Sequence, residues 1–300
     1  MAQSAAPVLP LPTGTPHRPE RHRPDSPPAF RPLVVGAHYP GIERGIVADA
    51  LAARALGGQA LTVCTVHVMA GGGRVTDVLE VPSDAVAAQF EHLAAGAPPS
   101  AVKVGIAGSA ASVREIRRAL VPLVEAGLPI VLDLTLSGPS GEDIAEGAAR
   151  EALVAMMPLA TLVTVRRADA ELLVGMEIPT LDDAQVAVQR LHLRGATRVL
   201  LRCGRLPASA FEPGEVGDFS LDLYYDGEDF ALFETPYADA PQLRGASSAL
   251  TMRLLAALGA GAPILEALQT AERFTADALR GAGAETLFPD YRAGARAAST

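Results

Sequence analysis

Tryptophan is absent from this 300-residue sequence, and cysteine occurs only twice, at Cys64 and Cys203. Both thiols sit inside apolar runs, far apart and outside any CxxC or Cys/His cluster. That usage excludes a disulfide-stapled scaffold and a thiolate metal centre. Buried free thiols in a reducing compartment are expected. Positive charge is also scarce: 25 Lys and Arg stand against 34 Asp and Glu, a net charge of −9. A surface of that sign repels phosphate backbones and anionic headgroups, so neither nucleic acid nor a membrane is expected as a partner. No uninterrupted apolar run reaches the ~18 residues needed to cross a bilayer. The first residues lack the apolar core of a secretory signal. A cytoplasmic protein is expected.

Apolar residues make up 49% and charged residues 20%, which allows one large, well-buried α/β domain. Residues 1–32 stand apart. Prolines at 7, 10, 12, 16, 19, 24, 27, 28 and 32 fix φ and remove amide donors, denying both helix and sheet. This zone reads as a disordered, proline-rich tail. Residues 33–283 read as the folded domain and residues 284–300 as a loose C-terminal tail.

From Leu33 onward, short β-branched runs alternate with amphipathic stretches. Strands are expected at 33–35, 61–68, 102–106, 130–134, 161–165, 199–202, 221–225 and 230–233. Helices are expected at 46–56, 84–94, 111–125, 143–157, 168–174, 181–193, 249–258 and 264–279. The alternation predicts an α/β fold, a mainly parallel, doubly wound sheet with helices on both faces. Asp226-Gly227 predicts a tight hairpin turn. Tyr224, Tyr225, Phe230 and Phe233 are expected to pack that hairpin. The apolar stripe of 264–279 suits core or a dimer face, and a homodimer is expected. In such sheets ligands bind beyond the carboxyl ends of the strands. That selects the loops after Val35, Val68, Ile106, Leu134, Val165 and Arg202, and the turn before Ala249.

Several segments line up, in order, with one family. Gly36 followed by Gly45-Ile46-Val47-Ala48-Asp49 resembles a first strand-loop-helix ending in Gly-Ile-Gln-Ala-Asp. Val81-Pro82 with Val86-Ala87-Ala88-Gln89, Ala101-Val102-Lys103-Val104-Gly105-Ile106, Val131-Leu132-Asp133, Leu159-Ala160-Thr161 and Glu171-Leu172-Leu173-Val174-Gly175 follow in register. Together they resemble the hydroxymethylpyrimidine and phosphomethylpyrimidine kinases of the ribokinase-like superfamily, over about 250 residues. The resemblance implies a ribokinase-like fold, ATP and Mg2+, and a small heterocyclic substrate of thiamine biosynthesis or salvage.

It also implies a site. The turn Gly245-Ala246-Ser247-Ser248 stands where the family places its anion hole, with Ser248 at the base position. Asp133 and Asp169 stand at the metal and phosphate network. Arg166, Arg202 and Gly204 stand on the nucleotide side. Gly36, His38, Ala70 and Gly105 stand on the substrate side. Five departures accompany the likeness. The second glycine of the anion hole is Ser247, and the base is a serine without useful basicity. The loop after Asp133 has no lysine, Arg166 replaces an amide, and Ala70-Gly71 replaces a Gln-Asn pair. Two readings stand: phosphoryl transfer, or a non-catalytic relative that binds a nucleotide, pyrimidine or vitamin. Ser247 and Ser248 also suit helix caps.

Overall fold

The computed structural model describes residues 30–71, 74–138, 141–145, 147–206, 219–236, 245–281 and 290–292. The proline-rich stretch up to residue 29 lies outside them, as do Pro139 and Ser140.

Among the described residues the strands form one nine-stranded sheet. In chain order they are β1 Pro32–His38, β2 Leu61–Gly71, β3 Arg74–Glu80, β4 Ala101–Val104, β5 Ile130–Leu134, β6 Leu162–Arg166, β7 Val199–Gly204, β8 Phe219–Tyr225 and β9 Phe230–Pro236. Their spatial order is β3-β2-β1-β4-β5-β6-β7-β8-β9. From β2 to β7 all pairings are parallel. β3 joins one edge antiparallel, and the β8–β9 hairpin joins the other. The expected mainly parallel sheet is therefore present. β4 and β5 are buried along their whole length. Cover on both faces is why their sequences run apolar without alternation.

The helices are α1 Ile46–Ala55, α2 Ser83–Ala94, α3 Ala110–Glu125, α4 Gly147–Val154, α5 Arg167–Val174, α6 Leu181–Leu193, α7 Ala246–Gly259 and α8 Ile264–Gly281. α1, α7 and α8 pack together on one face, over a core containing Val34, Val131, Leu162, Leu200, Leu254 and Phe274. The opposite face carries α2 to α6, over a core containing Val35, Val104, Ile116, Leu132, Val163 and Leu201. α7 is buried from Ser248 to Leu255 at all but one position, because it lies between the sheet and α8. α8 is amphipathic, burying Ala267, Leu268, Ala271, Phe274, Thr275 and Ala278 at helical spacing. Ends are marked locally. Ser109 caps α3 through Ser112 N, and Thr180 caps α6 through Asp183 N.

Several expectations need correction. β1 begins at Pro32, one residue inside the expected tail, and runs on to His38. β2 runs beyond the expected 61–68, continuing through Ala70 and Gly71. β3 was not expected. It pairs on one side only, and its mostly exposed residues lack clean alternation. The helix expected at 143–157 is shorter, with a 3-10 turn at Met157–Leu159 after it. Ahead of it, Ile144 N donates to Leu136 O and Asp143 bridges to Ser137, tying that segment to the loop after β5. α7 begins at Ala246, inside the predicted anion motif. Within the expected C-terminal tail, Tyr291 is buried, and its hydroxyl donates to Gly245 O at 3.2 Å. The hairpin turn is as expected: Asp226 Oδ1 accepts from the amides of Glu228 and Asp229. Tyr225 and Phe230 stack across it at 4.5 Å.

Candidate active site

β1 lies between β2 and β4, so successive strands are added to one side of β1 and then to the other, and a crevice opens beyond the strand ends there. Residues from five parts of the chain converge on it. Gly36 comes from β1, Asp49 from α1, Lys103 and Gly105 from β4 and its exit, Asp133 from β5, and Gly245, Ser247 and Ser248 from the start of α7. With Tyr39, Arg44 and Arg166 they line a cavity of about 150 Å3.

A second, larger cavity of about 540 Å3 lies on the other side of the α7 terminus. Its walls include Arg166, Arg167, Arg202, Gly204, Asp222, Ala246 and Glu272. Arg166 lines both cavities. The α7 terminus is the partition between them.

That terminus is open. Gly245 precedes it at φ 94°, a left-handed conformation suited to glycine, and no side chain caps it. Ser247 and Ser248 are therefore not caps. They sit inside the first turn, where amides have no intrahelical acceptor and the helix dipole favours an anion. The Ser247 hydroxyl instead donates to Asp133 Oδ2 at 2.6 Å.

Lys103 is the buried hub of the small cavity. Its ammonium lies 2.7 Å from Asp49 Oδ1 and 3.2 Å from Asp133 Oδ2. Burial alone would lower its pKa, but the two carboxylates together raise it, so it stays charged. The two aspartates differ. Burial pushes Asp133 up, but Lys103, Arg202 and the Ser247 hydroxyl hold it below its ordinary value. Burial also pushes Asp49 up, and there Lys103 and the Ser248 hydroxyl do not overcome it, so Asp49 ends above its ordinary value. Asp49 is the closer partner of Lys103 yet the more readily protonated carboxyl, because no second cation faces it.

Asp169 is elsewhere. It is fully buried beneath Arg166 and lines neither cavity. Its Oδ1 accepts from the Leu136 and Ser137 amides and from the Ser137 hydroxyl. Its Oδ2 accepts from Arg166 Nε at 2.8 Å and pairs with Nη2 at 2.6 Å. Arg166 Nη2 also donates to Ser137 O. Asp169 thus aims the guanidinium between the cavities. The magnesium role expected for Asp133 and Asp169 does not fit these donors. Both Asp169 oxygens are saturated, and Asp133 Oδ2 is shared by an ammonium and a hydroxyl. Among the described residues no group of three or more His, Cys, Asp or Glu is placed to hold a metal. Positive charge at the crevice comes from Lys103, Arg44 and Arg166 on the small cavity and from Arg166, Arg167, Arg202 and Arg205 on the larger one.

His38 and Ala70 do not reach the crevice lining. His38 pairs with His67 across β1 and β2, ring nitrogens 3.2 Å apart, and Ala70 packs in a small cluster at the sheet end. In the larger cavity the Asp222 and Glu272 carboxyls face the same space, with Arg202 Nε 3.8 Å from Asp222 Oδ2. Burial, then the neighbouring Asp222, pushes Glu272 well above its ordinary value.

Lys103 and Asp49 were quoted in the sequence motifs without a role, and Asp222 and Glu272 were not singled out. One signal was available for Lys103, Asp49 and Glu272. A lysine within a strand buried on both faces, an aspartate on the apolar helix 46–55 and a glutamate on the apolar face of 264–279 all require a buried partner.

A family model described as phosphomethylpyrimidine kinase matches residues 43–287. The hydroxymethylpyrimidine/phosphomethylpyrimidine kinase of Mycobacterium tuberculosis (strain H37Rv) is 29% identical over 263 residues, covering 86% of this chain and 92% of that protein. An ADP complex of Bacillus subtilis pyridoxal kinase superposes with a TM-score of 0.74 at 23% identity, over 88% of this chain and 98% of that one. A phosphomethylpyrimidine kinase structure from Clostridium difficile superposes with a TM-score of 0.67 at 22% identity, over 83% and 99%. The structural likenesses establish the ribokinase-like fold. The match along most of the folded part, from the loop after β1 past the end of α8, goes further: the chain belongs to the phosphomethylpyrimidine kinase family.

Proposed function

We propose that the protein transfers the γ-phosphoryl group of ATP to a hydroxymethyl or phosphomethyl group on a single-ring pyrimidine. The observation that carries this reading is the pair of unequal cavities meeting at an uncapped helix terminus with one arginine on both walls. A cavity of about 150 Å3 is the size that takes one benzene-like ring. A cavity of about 540 Å3 is within the usual range for a nucleotide-sized ligand. The curated relative named above is a kinase of this substrate class, and a related Staphylococcus aureus pyridoxal kinase was solved with both AMP-PCP and pyridoxal.

In this reading the ring enters against Gly36 and Gly105, where the absence of side chains leaves room for it. The hydroxymethyl oxygen then faces the α7 terminus. The nucleotide lies in the larger cavity with its terminal phosphate at the partition. Negative charge on the moving phosphoryl group meets the Ala246, Ser247 and Ser248 amides and the Arg166 guanidinium. Such groups stabilise charge without reorganising during the step. Lys103 holds Asp133 and Asp49 in place behind them. Arg44, stacked 4.7 Å over the Tyr39 ring, adds positive charge at the small cavity, which suits a substrate already carrying a phosphate.

The competing reading is a binding protein without turnover, and the serine at position 248 is what favours it. Calorimetry with ATP and hydroxymethylpyrimidine, run beside an ADP-release assay, separates the two. ADP release that depends on the pyrimidine supports transfer. Binding of both ligands with no ADP above background removes it.

A further inference from the structure

Cations line the crevice on both sides of the α7 terminus. Arg166, Arg167, Arg202 and Arg205 line the larger cavity, and Lys103, Arg44 and Arg166 line the small one. Lys103 is committed to the carboxylates of its own wall, 2.7 Å from Asp49 and 3.2 Å from Asp133. Arg44 comes from the loop ahead of α1, half-buried, its guanidinium stacked 4.7 Å over the ring of the buried Tyr39. A neutral alcohol has no use for an arginine held there, whereas a phosphate does. What the small cavity lacks is a proton acceptor at the reacting point. The first turn of α7 presents only the hydroxyls of Ser247 and Ser248, neither basic near neutral pH. Among the described residues the cavity wall has no histidine, cysteine or glutamate. Its two carboxylates, Asp49 and Asp133, are buried against the Lys103 ammonium, and Asp133 also accepts from Ser247. An ammonium at that distance favours the charged carboxylate and so weakens it as a base. A phosphate monoester suits both features. Its second ionisation falls at about pH 6, so near neutral pH the attacking oxygen already carries its charge.

We propose that this chain phosphorylates only a pyrimidine that already carries a phosphate, converting a monophosphate ester to a diphosphate, and that the free alcohol is not its substrate. The proposal rests on the phosphoryl-transfer reading above and narrows its acceptor. An oxygen of the ester dianion forms a bond to the γ-phosphorus, the bond from that phosphorus to the β-bridging oxygen breaks, and ADP leaves. No proton is transferred, so a helix terminus without a base suffices. Arg44 holds the acceptor phosphate, and Arg166, on both walls, lies between the two anions. The preceding reaction must be one that delivers the pyrimidine already phosphorylated, such as that of a separate alcohol kinase.

The test compares hydroxymethylpyrimidine with its monophosphate ester as acceptors, each with magnesium–ATP, by ADP release and phosphorus NMR of the product. The ester is expected to be turned over with a kcat/KM at least about 100-fold above that of the alcohol, which lacks the general base it would need. Arg44→Ala is expected to raise KM for the ester about tenfold or more, while KM for ATP moves less than about threefold. Ser248→Asp supplies a base and an opposing charge, so it is expected to raise alcohol turnover at least about tenfold and to lower ester turnover by a similar factor. Wild-type turnover of the alcohol within about tenfold of the ester overturns the proposal and leaves the kinase reading standing. An ester KM unchanged in Arg44→Ala overturns it as well. No ADP with either acceptor removes the kinase reading and the proposal with it. Should Ser248→Asp fail to fold, the wild-type comparison of the two acceptors decides alone.

Discussion

Replacing Lys103 with methionine tests the electrostatic centre of the crevice. The ammonium is buried and pairs with Asp49 at 2.7 Å and Asp133 at 3.2 Å. Methionine keeps most of the volume and removes the charge. Asp133 retains Arg202 and the Ser247 hydroxyl, but Asp49 loses the ammonium 2.7 Å away. Removing one partner of a buried pair typically costs about 3–5 kcal/mol, because the remaining charge is uncompensated. For a domain of this size each kcal/mol shifts Tm by about 2–4 °C, so a fall of roughly 6–20 °C is expected at pH 8. The sign of the pH dependence follows. Without the cation Asp49 rises further above its ordinary value, and Asp133 loses the largest of the interactions that hold it below its own. A carboxyl raised in the folded state contributes stability below the unfolded value and loses it as pH climbs through the folded one. The deficit against wild type is therefore expected to shrink between pH 8 and pH 5. Urea denaturation at four pH values measures it. A deficit under about 1 kcal/mol at pH 8, or one independent of pH, refutes the argument.

Three further outcomes follow from the same geometry. Glu272 is raised by burial and by Asp222, so wild type is expected to lose stability with rising pH and Glu272→Gln to resist alkaline unfolding better; identical Tm values for the two proteins at pH 9 would count against a proton held there. Arg166→Ala is expected to weaken ATP binding by about ten- to hundredfold in calorimetry, the range for losing a charge-assisted hydrogen bond; unchanged affinity takes Arg166 out of the anion site. Cys203 is buried, and burial followed by Asp222 pushes its thiol up to about 12. Ellman's reagent at pH 8 is expected to leave it unmodified until denaturant is added, and rapid labelling of the native protein contradicts that burial.

The parallel sheet was legible because its middle strands are short, largely apolar runs, such as Ile130-Val131-Leu132, covered on both faces. The helices with one wet face, such as 181–193, were legible for the converse reason. β3 was not, since an edge strand paired on one side carries no strong apolar signal. The start of α7 was misjudged because Ser247 and Ser248 have the chemistry of caps. Only the left-handed Gly245 just before them shows that the cap position lies earlier. Asp169 was legible as an acidic residue at the right place, but its task is to hold Arg166, and a carboxylate's partners are not written in its neighbours along the chain. His38 sits two residues from Gly36, yet its ring pairs with His67 across β1 and β2 and stays out of the crevice lining.

The sequence by itself determined the order and type of the elements, the crevice beyond the strand ends and the family, because all three depend on periodicities and motifs local to the chain. Tertiary structure alone decided which charges meet. Asp49, Lys103, Asp133 and Ser247 are separated by tens of residues, and burial between the sheet and α7 is what forces them to satisfy one another.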